Sequence, residues 1–489
     1  MLNNLASSRN AGGIRPMVAR WVVTGEMRLE TAAHFGGEGE SLADMTLLRD
    51  SLDGITPLFP GTSLAGALRS HLADVLGGYF SNEDKAVATL FGMSRKNDAD
   101  GAQSPLIVFD SSGELPDGLK VEIRDGVAIN SATGTADPHK KFDIEVLPTG
   151  TIFPVRVELV VEKSEEEPKL VTLLVKALDG LTSGEISLGM RRSRGLGAVG
   201  ARNWKTRRFE LNTSDGWINW LTSDHVNPLA HETPFNSARE AIESACPALR
   251  LEKTPDDKRS RLVIDVDLQL DGDLLVRSPG CDPTAPDAVH LHSAGKPVLP
   301  GTSLAGALRA QALRIARCVR SSQKDGDEWI NRLFGPHIEN KQNSSSPRPS
   351  ASKLRVSENI IGDSKPRRQT RIAIDRFTGG VVSGALFDEE VQAGGKINVR
   401  LELRQPTEAE TGLILLLLKD LLSGEIPVGG SASVGRGVFK GTAKLLLENG
   451  KQYDISPDLQ VKKEVMYDFN AFITKFRDAA QLKAGEVIS

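Results

Sequence analysis

The chain has 489 residues, of which 39% are hydrophobic and 25% are charged, and its formal net charge is −4. This composition is typical of a globular protein with room for more than one domain, and it excludes a predominantly disordered chain. The longest aliphatic run, residues 413–418, is far shorter than the roughly 20 residues that span a bilayer, and the first twenty residues lack the apolar segment of a signal peptide. We therefore expect a cytoplasmic protein that does not contact a membrane.

In chain order, the first part of the sequence predicts a strand, a helix, further strands, a second helix and a last strand. Apolar and polar residues alternate from Val22 onward, which predicts a half-buried strand. After Pro60, we expect a helix that is capped by Thr62 or Ser63 and ends at the glycines 77 and 78. The later elements are a strand at 153–162, a helix at 168–181 and a strand at 197–211. This order is that of an α+β, ferredoxin-like fold, whose sheet often binds single-stranded RNA.

The same series returns in the second half of the chain. The decapeptide PGTSLAGALR stands at residues 60–69 and again at 300–309, and other blocks follow in the same order. VAINSATG (from 127) is answered by IAIDRFTG (from 372), FDIEV (from 142) by FDEEV (from 387), and SGEISLG (from 183) by SGEIPVG (from 423). The spacing is far longer than that of a solenoid repeat, so it indicates a duplicated domain. We predict a first domain at 1–211, a packed connector at 212–260, a second domain at 261–449 and a C-terminal extension at 450–489.

The combination of PGTSLAGALR, the FDxEV hairpin and a late G-x-G segment after SGEI resembles the RAMP superfamily, the repeat-associated proteins of CRISPR systems. It is most similar to the backbone subunit of type III effector complexes, and two such units in one chain resemble the fused subunits of III-D-like complexes. The resemblance implies two tandem RAMP domains with inserted thumb hairpins that kink a guide–target duplex. It also implies a guide (CRISPR) RNA, a target single-stranded RNA, and other RAMP and large subunits as partners, in a role in antiviral defence.

Two features of the repeat predict contacts with phosphate. Amides at a helix start and glycine-rich loops beside arginines both bind phosphate oxygens. The net charge does not favour nucleic acid, but residues 191–208 and 353–376 are strongly basic. The predicted RNA-binding residues are Gly61, Ser63, Arg69, Lys140, Lys141, Arg191, Arg192, Arg194, Gly195, Gly301, Ser303, Arg309, Arg371, Arg376, Gly435 and Arg436. For each loop, the alternative is a plain turn with surface arginines.

An aspartate in the loop before each PGTSL helix is the candidate catalytic residue. The first copy offers Asp44, Asp50 and Asp53, whereas the second, between Pro283 and Pro300, offers only Asp287. Alignment backward from the helix pairs Asp287 with Asp44, with three residues of slippage. The resemblance points to the same loop, because type III backbone subunits carry there the aspartate needed for target RNA cleavage. Such a carboxylate can orient a 2′-hydroxyl or hold a divalent ion, for which we expect Mg²⁺ with ligands that the sequence does not identify.

Three functions are compatible with these residues. The first is a guide-RNA backbone subunit that also acts as a metal-dependent endoribonuclease and cuts bound target RNA at regular intervals. The second is a non-catalytic RNA-binding scaffold of the same complex. The third is a guide-processing ribonuclease, which needs a cluster of His, Lys or Tyr side chains. Processing ranks last, because the three tyrosines of the chain, Tyr79, Tyr453 and Tyr467, lie outside the repeated blocks. His34, His290 and His292 lie near the aspartate loops and can act as acid or base, but they do not pair between the copies.

Overall fold

The computed structural model describes residues 17–38, 43–93, 103–130, 133–280, 284–319, 323–336, 350–447, 452–456 and 463–481. The chain forms two compact units. Unit 1 comprises Met1–Glu122, Glu145–Met190 and Gly197–Arg259, and unit 2 comprises Ile123–Ile144, Arg191–Leu196 and Ser260–Ser489. Two short segments of the first sequence copy therefore belong to unit 2. The predicted domain boundaries follow the sequence copies and not these units.

The first copy and the connector contain ten strands and five helices among the described residues. They are β1 (Ala19–Leu29), β2 (Gly36–Gly37), β3 (Thr46–Leu47), β4 (Leu58–Phe59), α1 (Gly61–Gly77), α2 (Lys85–Phe91), β5 (Leu106–Val108), β6 (Ser111–Ser112), β7 (Glu122–Ile129), β8 (Ala136–Val146), β9 (Ile152–Val161), α3 (Glu167–Thr182), β10 (Val199–Glu210), α4 (Ser214–Thr222) and α5 (Ala238–Ala245).

The second copy repeats the main elements and adds a strand and a helix at its C-terminal end. Its elements are β11 (Arg261–Asp271), β12 (Asp273–Leu274), β13 (Arg277–Ser278), β14 (Ala288–His290), β15 (His292–Ser293), β16 (Lys296–Leu299), α6 (Gly301–Val319), α7 (Gln323–Phe334), β17 (Leu354–Val356), β18 (Asn359–Ile360), β19 (Lys365–Ile374), β20 (Val381–Ala393), β21 (Lys396–Arg404), α8 (Glu408–Ser423), β22 (Val438–Leu446), β23 (Gln452–Ile455) and α9 (Lys463–Gln481). None of the described helices is long and apolar enough to span a bilayer.

Both copies have the strand order of the ferredoxin-like fold. The main sheet of the first copy runs β10-β1-β9-β5, and that of the second runs β22-β11-β21-β17 with β23 added at one edge. The paired strands of both sheets are antiparallel. Between the second and third strands of each fold, an additional pair of strands forms a hairpin: the first hairpin is β7–β8 and the second is β19–β20. The predicted α+β class, with two tandem ferredoxin-like domains and inserted hairpins, is confirmed.

One apolar face of the first helix anchors each fold on its sheet. Leu64, Leu68, Leu72 and Val75 of α1 are all buried, as their spacing predicts, and the first three pack with β1 and α3 in a single core. In the second copy, the leucines of α6 and the leucine-rich helix α8 form a separate core. Each copy thus contains enough buried apolar surface to be a folding unit in its own right.

The start of α1 differs from the sequence prediction. The helix begins at Gly61, with Pro60 as its N-cap residue, and neither Thr62 nor Ser63 caps it. Pro60 has φ −67° and ψ 139°, an extended geometry that suits the residue before a helix, and its side chain cannot accept a hydrogen bond. The acceptor comes instead from Asp110, whose Oδ1 receives the Gly61 N–H at 2.7 Å. A cap from a distant residue leaves no signal in the helix sequence itself.

The second face of the sheet, opposite the helices, differs between the two units. In unit 1, the connector covers part of this face, where Val22 and Phe209 pack with Trp220 and Leu229. In unit 2, the corresponding side of β11 carries Asp265, Asp267 and Gln269, and the neighbouring strands add four exposed cations to this face: Lys396, Arg400, Lys440 and Lys444. This face therefore has mixed charge.

The turn that precedes the last strand of each fold contains a glycine that no other residue can replace without strain. Gly197 (φ +71°) and Gly437 (φ +73°) adopt the left-handed conformation, and a Cβ on either would lie 1.8 or 1.9 Å from a backbone oxygen, of Leu188 or Val428. Gly197→Ala and Gly437→Ala are therefore expected to destabilise their units by about 1–3 kcal/mol or more, measured by chemical denaturation. The control is Gly66→Ala, a helical position with nothing within 4 Å, where we expect a gain of about 0.5–1 kcal/mol. Unchanged stability in both turn variants would show that the turn is not constrained.

Candidate nucleic-acid interface

In both copies, backbone N–H groups at the start of the PGTSL helix already donate hydrogen bonds to acceptors within the protein. In unit 1, the Asp110 carboxylate occupies the Gly61 N–H, and the Ser63 N–H donates to the Pro60 carbonyl at 3.0 Å. In unit 2, Gly301 is buried, and the Ser303 N–H donates to the Pro300 carbonyl at 3.0 Å. The predicted contacts of Gly61, Ser63, Gly301 and Ser303 with phosphate stay predictions, and at Gly61 a phosphate has to displace a carboxylate.

The arginines of the two PGTSLAGALR blocks have partners within the protein. Arg69 forms a two-pronged ion pair with Glu83 (2.8 and 2.6 Å), and this carboxylate raises the pKa of Arg69. Arg309 donates to the Gly335 carbonyl and to the Asn331 side chain, each at 2.6 Å. Burial lowers the pKa of Arg309, and Arg194 lowers it further. The structure thus gives both arginines a stabilising role, whereas their contact with RNA stays a prediction.

The helix face beside these arginines is open at one glycine in each copy. Gly66 and Gly306 lie in mid-helix and are exposed, and a Cβ on either would meet nothing within 4 Å. Glycine in a helix interior costs about 0.5–1 kcal/mol relative to alanine. No packing requirement within the described residues accounts for that cost. The same open glycine therefore leaves room for a ligand in both copies.

The basic loop, residues 191–196, combines exposed arginines with a fixed backbone. Arg191 and Gly195 are left-handed (φ 57° and 90°) and enclose a 3₁₀ turn at Arg192–Arg194. The Arg191 guanidinium lies 4.6 Å from the centroid of the Phe142 ring, and burial lowers its pKa. Arg192 and Arg194 are exposed. Two cations on a rigid turn are well placed to bind phosphate.

The neutral loop, residues 431–435, has the same backbone and different side chains. Ser431 and Gly435 are left-handed (φ 62° and 85°), but alanine and valine stand where the basic loop has Arg192 and Arg194. Arg436, predicted to bind RNA, is buried and donates to the Glu389 carboxylate at 2.7 Å. Burial acts to raise the pKa of Glu389, but the ion pair with Arg436 lowers it overall. Only Gly435 of this predicted pair is open to solvent.

The hairpins carry paired cations and exposed aliphatic side chains. Lys140 and Lys141 form ion pairs with Asp137 and Asp125, each at 3.0 Å, and Lys141 has a raised pKa from its hydrogen bond with that carboxylate. In the second hairpin, Arg371 lies 3.8 Å from Glu389, and the Arg376 guanidinium lies 4.9 Å from the Phe377 centroid. These predicted RNA contacts are surface cations with local partners, each of which is worth little to stability.

Sequence reasoning missed the apolar surface of these hairpins. Val127 and Ile129 of the first hairpin and Ile372 and Ile374 of the second are exposed and stand at matching positions of the repeat. In the second hairpin, Ile372 pairs across the strands with Leu386, which is also exposed. The sequence does contain a signal for this surface, because aliphatic residues stand at every second position at the start of VAINSATG and IAIDRFTG. Aliphatic side chains of this kind can wedge between bases.

The two candidate aspartates occupy equivalent positions. Leu48 and Leu291, each four residues after its aspartate, donate their backbone N–H to the segment that follows the first strand of their copy (2.8 and 2.9 Å). Both Asp44 and Asp287 are exposed. The pairing made from sequence is therefore consistent with the backbone, and the additional residues of the first copy lie beyond Leu48.

The surroundings of the two aspartates differ. Asp44 lines an open cleft of about 680 Å³ together with His34, Gly36, Gly37, Glu38, Ala43, Met45 and Thr46. The His34 Nδ1–H donates to the Glu145 carbonyl at 2.7 Å, which leaves Nε2 as the acceptor of the neutral ring. The Asp287 Oδ2 instead accepts the Asp388 N–H at 2.9 Å, at the base of the second hairpin. Asp44 thus shares its cleft with a histidine that can take part in proton transfer, whereas the Asp287 carboxylate accepts a hydrogen bond from the backbone.

The remaining histidines of the aspartate loops have structural surroundings. His290 is fully buried, its Nδ1 accepts the Val276 N–H at 3.2 Å, and its Nε2–H donates to the Val298 carbonyl at 3.0 Å. Burial lowers the pKa of His290 to about 4, so the ring is neutral at physiological pH. The His292 Nδ1–H donates to the His290 carbonyl at 2.7 Å.

No group of three or more His, Cys, Asp or Glu side chains within the described ranges is arranged to hold a metal ion. A single exposed carboxylate suits Mg²⁺ only together with oxygens from substrate and water, which is how this ion is commonly bound at phosphate chemistry. Asp44 fits that limited role.

The family model of the RAMP superfamily matches the chain twice, at residues 26–200 and 271–440. A search of curated proteins returned no significant match. The two matched segments coincide with the two ferredoxin-like folds and contain both aspartates, both PGTSL helices and both glycine loops. The chain belongs to the RAMP superfamily.

Proposed function

We propose that this chain is a double backbone subunit of a type III CRISPR effector complex, which binds guide RNA through both copies and cuts the paired target RNA. Membership of the RAMP superfamily supports a CRISPR-associated RNA-binding subunit. The observation that carries the proposal is the duplication of one open helix glycine, one hairpin with exposed aliphatic residues and one loop aspartate in equivalent positions. Two equivalent sets in one chain suit an RNA that is contacted at regular intervals.

The RNA path that these features favour runs over the first helices, the basic loop and the hairpins. The connector covers part of the sheet face of unit 1, whereas the open glycines allow a sugar–phosphate backbone to approach α1 and α6 closely in both copies. Arg192 and Arg194 supply positive charge, and the aliphatic residues of the hairpins suit contact with bases.

The proposed cleavage places Asp44 next to the 2′-hydroxyl of a target nucleotide that the hairpin has unstacked. The carboxylate orients or deprotonates the hydroxyl, whose oxygen then attacks the adjacent phosphorus to form a cyclic phosphate. The bond to the 5′-oxygen breaks, and this oxygen takes up a proton from water. The His34 Nε2, in the same cleft, can accept a proton. Asp44 is the residue that would hold a divalent ion at this site, and such an ion would supply charge stabilisation of the transition state.

The absence of a three-ligand cluster in the described part of the chain favours a second candidate, a scaffold of the same complex that does not cleave. The two candidates differ in whether bound target RNA is cut.

Loss of the exposed arginines is expected to weaken RNA binding without sequence preference. Arg192→Ala/Arg194→Ala should reduce the magnitude of the salt slope by up to about 1.4, since each lost single-strand phosphate contact contributes about 0.7. Binding is measured by fluorescence anisotropy at several salt concentrations. Arg477→Ala, a 62% exposed arginine side chain on α9, is the control and should not change the slope. An unchanged slope in the double variant would place the RNA elsewhere.

Substitution of the open helix glycines is expected to weaken RNA binding without lowering stability. Gly66→Ala and Gly306→Ala should keep or raise the melting temperature, because alanine favours helix and meets no atom, yet they should weaken RNA binding by steric exclusion. Arg69→Ala and Arg309→Ala are predicted to lower both the melting temperature and the RNA affinity, because each substitution removes hydrogen bonds within the protein. RNA affinity equal to that of the unchanged protein in both glycine variants would rule out this helix face.

Target cleavage is expected at two positions, one for each copy. Asp44→Asn should abolish one cut and Asp287→Asn the other, with RNA binding retained, because a carboxylate does not attract phosphate. We expect faster cleavage at Asp44, where the cleft also holds His34 and Glu38. Chelation of divalent ions should abolish both cuts. If each single variant still cuts at both positions, the assignment of the two aspartates is wrong. Lack of cleavage by the unchanged protein would support the scaffold function.

A further inference from the structure

In unit 2, the first hairpin and the basic loop both pack against the residues that follow β17. Arg124 donates from Nη1 and Nη2 to the two carboxylate oxygens of Glu358, at 2.6 and 3.0 Å, and the two residues are only 6% and 4% exposed. A Cβ on Gly195 would lie 2.3 Å from the Glu358 nitrogen, and a Cβ on Gly301 would lie 2.5 Å from the Arg194 oxygen. The contact thus requires glycine on both sides and a buried ion pair.

The surface that receives this loop exists a second time, in unit 1. Gly61 and Asp110 take the places of Gly301 and Glu358, since each glycine begins its helix beside the oxygen of an equivalent valine. We call Gly61 and the residues 108–110 the acceptor face. Asp110 is exposed, whereas its counterpart Glu358 is buried. The acceptor face is therefore not covered as its counterpart in unit 2 is.

The second copy differs from the first in the hairpin and loop residues that would contact an acceptor face. Gln369 stands where the first hairpin has Arg124. Its Oε1 accepts from Arg436 at 2.6 Å, and its Nε2 donates to Asp273 at 2.8 Å. Within the neutral loop, Val434 is 59% exposed and a Cβ on Gly435 would meet nothing within 4 Å. The second copy thus keeps the loop backbone but holds its hairpin residue by internal hydrogen bonds.

We propose that the acceptor face binds a partner of the same fold whose hairpin carries an arginine at the position of Arg124, and that this partner is not a second copy of the chain. Repeated head-to-tail contacts between identical chains produce open filaments unless the interface discriminates against them. Gln369 cannot supply a cation to Asp110, and moving it outward breaks two hydrogen bonds. The inference deepens the proposed function, because it specifies a neighbouring subunit.

The test compares the full chain with a graft of first-copy residues. Asp273→Ala/Gln369→Arg/Arg436→Leu introduces the residues of the equivalent positions 32, 124 and 196. Sedimentation velocity without RNA should show the unchanged protein as a monomer over a 100-fold concentration range. The graft should form oligomers that grow with concentration, and a further Asp110→Ala should reverse this. A folded graft that stays monomeric, or self-association of the unchanged protein that Asp110→Ala removes, would overturn the proposal.

A second variant tests the interface even if the graft does not fold. Arg124→Gln copies the residue of the second hairpin and leaves Glu358 buried without its cation. Hydrogen exchange at residues 355–358 should accelerate at least about 100-fold, and Glu358→Gln should partly restore protection. Unchanged exchange would refute the role of the ion pair. Both experiments omit RNA, so a failure of RNA binding or cleavage leaves their outcome unaffected.

Discussion

In each copy, one turn of the backbone joins the end of the first strand, the glycine loop and the start of the last strand, at Gly197 in the first copy and Gly437 in the second. The N–H of each glycine donates to the segment after the first strand of its fold, at 2.8 Å to Ala32 and 2.7 Å to Asp273. The carbonyl of each accepts from the turn after the second helix, at 2.7 and 2.9 Å. Because only glycine fits this geometry, the end of the first strand, the glycine loop and the start of the last strand are fixed together.

On this common backbone, the two copies use charge differently. The first has arginines on its loop and in its hairpin, and one of them, Arg124, is buried against Glu358. The second replaces the loop arginines with neutral residues and buries Arg436 against Glu389. A buried ion pair contributes little net stability but is costly to break on one side. Such pairs therefore suit a role in specifying which surfaces meet.

Sequence reasoning predicted the repeat, the strand and helix order and the buried face of α1, because these depend on periodicity and on local residue preferences. It did not predict the cap of α1, since Asp110 is remote in sequence, and it did not identify the partners of Arg69 and Arg309 for the same reason. Arg436 looked like a loop arginine beside glycines, yet the fold places it inside. Basic residues near glycine indicate a site only when the tertiary structure leaves them exposed.

The central claim is that both copies contact one RNA in equivalent ways. Ultraviolet cross-linking of the full chain to guide RNA, followed by mass spectrometry of the cross-linked peptides, measures this directly. We expect cross-linked peptides from matching segments of both copies, namely α1 and α6 together with the two hairpins, in similar yield. Cross-links confined to one copy, or to the connector and the sheet faces, would contradict it.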